Sequence, residues 1–307
     1  MLRIAVICNN RMALPSLQFL AQQRVLAGIG IPETNLEVAQ DCQMLFRNSG
    51  ISVHSLKHKT LLPDTQNWLG EIKANLVWLM TFPWKIPQEL LNLKEVPFYN
   101  FHFGLLPQMR GVDPIFECIR RKEIETGITV HLVTPKIDEG PVLMVQKIPL
   151  NMETTHGSLC SEMAANAAHI CARLLPLFEK QPSPPTTPQS EENVHYYGRP
   201  GLTDVLINWD TMDSLSVSAL VRACNPWNKG AYVSYKNWNF RVLSVSDYGD
   251  SQEESIPGTI VKGEDGSFLV HCLDRKLLKI NIIYIEEGFF EGIKLFNFGV
   301  RMNDLLK

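Results

Sequence analysis

Asn100 and His102 stand two residues apart in the stretch Asn100-Phe101-His102-Phe103-Gly104-Leu105-Leu106-Pro107-Gln108-Met109-Arg110-Gly111. If residues 98–102 form a strand, both side chains project from one face. An amide and an imidazole then share a surface. A second stretch, Glu125-Thr126-Gly127-Ile128-Thr129-Val130-His131-Leu132-Val133-Thr134-Pro135-Lys136-Ile137-Asp138-Glu139-Gly140-Pro141, adds a carboxylate. Its strand over 127–133 should lie near the first and deliver Asp138 on the following loop. A carboxylate beside an imidazole raises its pKa and fixes its orientation, as a general base near neutrality requires. The amide could stabilise charge developing on a carbonyl oxygen. With no nucleophilic Ser or Cys beside them, the three groups suit direct acyl transfer to an incoming amine. Each alone has a bland reading, as a packed histidine, a turn-capping asparagine or an Asp-Glu-Gly turn. Their combination carries the case.

These groups need a scaffold. Residues 1 to about 150 alternate short apolar runs with amphipathic stretches, the pattern of a mostly parallel sheet covered by helices. Strands are expected over 3–8, 25–31, 52–56, 76–80, 98–102, 127–133 and 142–149, and helices over 14–22, 37–48, 65–73 and 114–122. Leu159, Met163, Ala167, Ile170, Leu174 and Leu177 recur at three- or four-residue steps and predict a longer helix over 155–180. Gly104 and Pro107 end the strand that carries His102. The apolar turn between them forms a wall where strand ends open into a crevice, the usual ligand position in such sheets. Residues 181–192 hold four prolines and read as a linker. Beyond them, period-two runs over 232–235, 239–245, 258–261, 267–272 and 279–285 predict a small antiparallel barrel. The expected fold is therefore α/β, a Rossmann-like mostly parallel sheet flanked by helices, followed by a small OB-like β-barrel. The expected divisions are a catalytic domain at 1–180, a linker at 181–192 and a barrel domain at 193–307.

Composition excludes several classes. Across 307 residues, 45% hydrophobic and 20% charged content fits an ordinary globular chain rather than a fibrous or disordered one. The formal charge of -3 provides no overall field for nucleic acid or anionic lipid. Seven scattered cysteines without a C-x-x-C pair suggest a reduced, cytoplasmic setting. No apolar run approaches the roughly 18 residues of a membrane span. The turn after the first strand, Asn9-Asn10-Arg11, lacks the glycines of a dinucleotide site. No cysteine spacing suits zinc, and no metal is expected. The polar groups of Asn9, Asn10 and Arg11 lie where they could hold a hydroxylated or phosphorylated acceptor. Trp209, Trp227 and Trp238 read as packing residues, because no Lys or Arg interleaves them as a strand-binding groove would require.

The stretches 100–111 and 125–143 resemble, in order and separation, two blocks of the formyltransferases that use 10-formyltetrahydrofolate. One block is Asn-x-His with a Leu-Leu-Pro turn and Arg-Gly, and the other is Glu-Thr-Gly-x-Thr leading to an Asp-x-Gly loop. The resemblance implies that Asn100, His102 and Asp138 are the catalytic trio and that 10-formyltetrahydrofolate is the formyl donor. It further implies that the folate head group sits against Gly104, Leu105, Leu106 and Pro107, against Met80, Phe82 and Trp84, and against Ile137, Glu139 and Gly140. Ile207-Asn208-Trp209 and Arg222-Ala223-Cys224-Asn225-Pro226-Trp227 look like the carboxy-terminal domain of methionyl-tRNA formyltransferases. In those enzymes a long basic loop follows the second strand, whereas here Gly30-Ile31-Pro32-Glu33-Thr34-Asn35-Leu36-Glu37 is short and acidic. Residues 200–307 carry 11 Lys plus Arg against 14 Asp plus Glu, which disfavours a phosphate-binding surface. The expected activity is thus transfer of a formyl group to a primary amine, on an amino sugar nucleotide or another small or carrier-bound acceptor. The alternatives are formylation of charged initiator tRNA, and a non-catalytic folate-binding or partner-binding module.

Overall fold

The computed structural model describes every residue except 94, 95 and 253. Five parallel strands begin the first sheet: β1 (Ile4–Cys8), β2 (Leu26–Pro32), β3 (Ser52–Leu56), β4 (Leu76–Met80) and β5 (Phe98–His102). A two-residue strand, β6 (Arg110–Gly111), precedes β7 (Glu125–Leu132) and β8 (Val142–Pro149), which join the sheet antiparallel. The order is β3-β2-β1-β4-β5-β7-β8. Central strands lie buried on both faces, which is why β1 (IAVIC) and β4 (LVWLM) read as unbroken apolar runs and are buried throughout.

Helices α1 (Leu14–Gln22), α2 (Leu36–Leu45), α3 (Leu61–Glu71) and α4 (Gln88–Leu91) connect the parallel strands, α5 (Pro114–Arg120) precedes β7, and α6 (His156–Lys180) follows β8. The faces separate by strand alternation. Ala5, Ile7, Val77, Leu79 and Phe98 pack with Leu61, Trp68 and Leu69 of α3. Phe178 of α6 meets Trp78 and Tyr99. Each fully buried aliphatic side chain in these layers contributes roughly 1.5–3 kcal/mol.

Lateral register sets the chemistry. Ile7 stands beside Leu79, Leu79 beside Asn100, and Asn100 beside His131. One row across the sheet therefore changes from apolar to polar at β5. His102 is paired in the same way with Thr129.

The chain divides into two compact units, one of residues 1–114, 125–149 and 160–197, the other of 115–124, 150–159 and 198–307. In the first, β9 (Tyr196–Tyr197) lies parallel to β6, and Thr187 pairs with Val142. The proline-rich stretch read as a linker is thus pinned along this unit. The second unit holds α7 (Ser214–Ala223) and strands β10 (Ala231–Tyr235), β11 (Trp238–Asp250), β12 (Ile260–Lys262), β13 (Phe268–His271), β14 (Lys276–Ile285) and β15 (Gly288–Glu291). Its antiparallel order is β10-β11-β14-β13-β12, with β15 on β14. Residues 304–307 bond to Ser234 in β10, to Ile260 in β12 and to Gly258 just before it, joining the two edges. Trp209 is buried, Trp238 packs on Tyr235 and Phe240, and Trp227 contacts Phe116 and His156. No helix among the described residues is long and apolar enough to cross a membrane.

The β6–β9 pairing requires glycine at 111. Its φ is +116°, and an added Cβ would lie 2.0 Å from the Tyr197 carbonyl oxygen. Gly111→Ala should lower unfolding free energy by about 1–3 kcal/mol from backbone strain alone, measured by urea denaturation. An unchanged midpoint would show that the two short strands do not pair.

Candidate active site

His102 ends β5 and is 5% exposed. Nε2 lies 2.6 Å from the Met109 carbonyl oxygen. A carbonyl only accepts, so Nε2 carries the proton and Nδ1 presents its lone pair. That lone pair faces Asp138 Oδ1 at 3.6 Å. The neighbouring His131 is fixed by the same logic. Its Nδ1 donates to the Leu132 carbonyl at 3.0 Å, leaving Nε2 to accept from Asn100 Nδ2 at 3.2 Å. His131 Nε2 also lies 3.6 Å from Asp138 Oδ1. Asp138 Oδ1 therefore faces both rings, and with the His131 Nε2 lone pair taken by Asn100, His102 Nδ1 and Asp138 Oδ1 are the two acceptors left to meet an N–H donor or an added proton.

Asp138 occupies the loop after β7 at φ 55°, a left-handed conformation uncommon for a residue with a side chain. Its Oδ2 accepts the Gly111 N–H at 3.0 Å. Burial favours the neutral acid, but His102, His131 and the Gly111 donor outweigh it and hold the carboxyl down at about 2. For His102 burial wins. It pushes the imidazole pKa below its ordinary value, against the upward pull of Asp138 and with a downward contribution from His131. The pair is therefore a carboxylate beside a neutral imidazole at neutral pH.

Thr129, opposite His102, shapes the adjoining turn. Its hydroxyl donates to the Gly104 carbonyl at 2.8 Å and accepts the Leu106 N–H at 3.2 Å. Gly104 has no room for a side chain, since a Cβ would lie 2.7 Å from Pro114 Cβ and 3.0 Å from His102 Nε2. Leu105 and Leu106 are half-buried and Pro107 is buried. Ile137, beside Asp138, is 58% exposed.

The remaining candidates are placed less uniformly. Met80 is fully buried within β4, so its side chain belongs to the sheet interior. Phe82 and Trp84 are partly buried against the α3 side of the core, edge to face at 5.3 Å, and His58 meets Trp84. Glu139 turns to the Tyr196 hydroxyl at 2.5 Å and to Lys136 at 3.2 Å, and the Gly140 carbonyl accepts from Gln189. Asn10 accepts the Met12 N–H and so begins a short 3-10 turn. Asn9 receives Asn35 Nδ2 on its carbonyl and side-chain oxygens. Arg11 is engaged by Asp41 at 2.7 Å and Glu37 at 3.4 Å. Among the described residues no group of three or more His, Cys, Asp or Glu side chains is disposed to hold a metal ion.

Asn100, His102 and Asp138 come together as the two sequence stretches suggested, with Asn100 reaching Asp138 through His131. The sequence reading passed over His131, Thr129, Arg110 and Gln189. Period-two alternation already puts His131 and Thr129 on one face of β7. Arg110 and Gln189, 79 residues apart, have no such local signal.

Two family profiles match in order: Formyl transferase over residues 33–175, and Formyl transferase, C-terminal domain, over 202–295. Together they span well over half of the chain. A methionyl-tRNA formyltransferase of Aromatoleum aromaticum is 31% identical over 189 residues, which is 61% of this chain and 57% of that protein. Among solved structures, the sugar 3N-formyltransferase WlaRD, with dTDP and 5-N-formyl-THF, superposes with a TM-score of 0.70 at 17% identity, covering 91% of this chain and 97% of that one. The Helicobacter canadensis N-formyltransferase, in complex with folinic acid and dTDP-3-aminofucose, gives 0.71 at 16%, covering 91% and 99%. These likenesses establish a shared fold across both units. On the two profile matches, the chain belongs to the formyl transferase family.

Proposed function

We propose that the chain transfers a formyl group from 10-formyltetrahydrofolate to a primary amine, with an amino sugar nucleotide or another small or carrier-bound amine as acceptor. The observation that carries this reading is the buried pair of His102 Nδ1 and Asp138 Oδ1, two acceptors 3.6 Å apart with no proton between them, beside the Asn100–His131 hydrogen bond. An attacking amine is an N–H donor. Bound there, 10-formyltetrahydrofolate would supply the electrophilic one-carbon unit. The exposed Ile137 with Leu105 and Leu106 fits its ring system.

In this reading the residues divide the work. His102 Nδ1 would take the proton that the amine sheds as its nitrogen bonds to the formyl carbon, because Nε2 is already committed to Met109, and would return it to the donor's nitrogen as the bond from that nitrogen to the formyl carbon breaks and tetrahydrofolate leaves. Asp138 steadies the resulting imidazolium without itself being protonated. Asn100 bonds to His131 with one amide hydrogen and has a second with which to meet negative charge at the carbonyl oxygen.

The acceptor reading draws on the sugar N-formyltransferases that share the fold. Arg11, neutralised by Asp41 and Glu37, offers little net charge to a phosphate. Recognition at residues 9–11 would therefore run through amide and hydroxyl hydrogen bonds. A second reading, formylation of a charged initiator tRNA, is favoured by the 31% identity to a methionyl-tRNA formyltransferase.

Incubation with 10-formyltetrahydrofolate and a panel of amino sugar nucleotides, aminoacyl carriers and charged initiator tRNA, read by mass, tests both readings. Formylation of a sugar nucleotide supports the first, formylation of tRNA alone replaces it with the second, and a silent panel rejects both. Asn100→Ala, His102→Ala and Asp138→Ala should each lower turnover by roughly a hundredfold or more while circular dichroism stays native. Near-native turnover in all three would remove the trio from the chemistry.

Turnover should also fall on the acid side as His102 gains a proton, with an apparent pKa below the ordinary value of about 6.5. Asp138, held at about 2, stays charged throughout that range. Because Asp138 raises the imidazole pKa, Asp138→Asn should move the acid limb to lower pH. A shift upward would assign the limb to another group.

A further inference from the structure

The segment from Thr187 to Tyr197 makes contacts that a tether does not need. Gln189 uses the full bonding capacity of its amide. Nε2 donates to the main-chain carbonyls of Asp138 at 2.7 Å and Gly140 at 2.8 Å, and Oε1 accepts from Arg110 Nε at 3.2 Å and Nη2 at 2.8 Å. Arg110 is 4% exposed. Its remaining Nη1 donates to the Tyr196 hydroxyl at 3.1 Å and lies 3.7 Å from Glu139. Tyr196 also donates to Glu139, between the two carbonyls that Gln189 holds. The Arg110 main chain is equally occupied, for its N–H donates to the His195 carbonyl at 3.1 Å.

The arrangement links two things that must stay in register. On one side is the Asp138 loop, whose left-handed backbone requires outside support. On the other is the 109–111 segment, whose Met109 carbonyl holds His102 and whose Gly111 N–H holds Asp138. We propose that Gln189 is a positioning residue for the Asp138–His102 pair, clamping the carboxylate loop to the strand that orients both side chains. This rests on the formyl-transfer reading for its effect on turnover, but not for its effect on the imidazole. At 3.6 Å the carboxylate and imidazole stand just beyond hydrogen-bond length, so a small outward shift of the loop weakens their interaction. The titratable groups facing His102 are Asp138 from the loop and His131 from β7, while the Arg110 side chain is committed to Gln189, Tyr196 and Glu139.

The test uses the full chain with Gln189→Met, which removes both donors and the acceptor, and Gln189→Asn, which keeps the amide but shortens its reach. The readouts are kcat, KM for amine and donor, and the His102 titration by NMR. Loosening the loop should lower kcat by about ten- to a hundredfold, leave both KM values less changed, and move the His102 titration to lower pH. Should the Met variant not fold, the Asn variant gives the same readings. Wild-type turnover and titration in the folded variants would overturn the proposal. So would a loss of turnover with an unshifted imidazole, because general weakening of the fold predicts that pattern. If the wild-type chain formylates no amine, the functional reading fails, and the imidazole titration still decides whether the clamp exists.

Discussion

Two peptide groups of one short segment, residues 109–111, hold the site in place. The Met109 carbonyl takes the Nε2 proton of His102, and two residues later the Gly111 N–H meets the Asp138 carboxylate. The first bond chooses the tautomer of the imidazole and the second chooses the rotamer of the acid. Neither side chain could otherwise be relied on in a buried space, since an imidazole can exchange its proton between nitrogens and a carboxylate can rotate. The sheet supplies the rest. Its register brings Asn100 opposite His131 and His102 opposite Thr129, so four polar side chains occupy two neighbouring pairs where β5 meets β7.

Burial gives these contacts their electrical meaning. Removing water disfavours charge on both partners, yet the acid is held charged by three favourable interactions while the imidazole stays neutral. A neutral imidazole is free to receive a proton, and the fixed negative charge beside it offsets part of what burial makes that proton cost. The same water exclusion would strengthen any interaction with charge that develops in the space between them.

Much of the fold was legible because the central strands are buried on both faces and have little freedom in composition. β1, β4 and β5 were read within a residue of their ends, and β8 at its ends. The helix α7 was not read, although Asp213 caps it by accepting the Ser216 N–H. Its alternation of serines with aliphatic residues does not resemble a helical stripe. The hairpin of β14 and β15 escaped because its turn, Glu286-Glu287, contains none of the usual turn residues. In the site, Asn100, His102 and Asp138 announced themselves through local spacing. His131 required knowing that β7 runs antiparallel beside β5. The Arg110 neighbourhood required a contact across 79 residues of chain, and no residue pattern near either end encodes it. The carboxylates around Arg11 were visible in the sequence at positions 37 and 41, but their approach to it depends on how α2 is capped by Asn35.

The pairing of β6 with β9 also bears on how separable the two units are. A fragment stopped at Lys180, where the last helix of the first unit ends, would keep every strand of the large sheet. It would also leave the Arg110 guanidinium inside the protein with Gln189 and Tyr196 gone, and the backbone at 110–112 without the carbonyls of residues 195 and 197. Recombination that exchanges residues 198–307 among relatives therefore has a narrow place to cut. The crossover has to fall after Tyr197, and the prolines that look like a seam in the sequence lie on the wrong side of it.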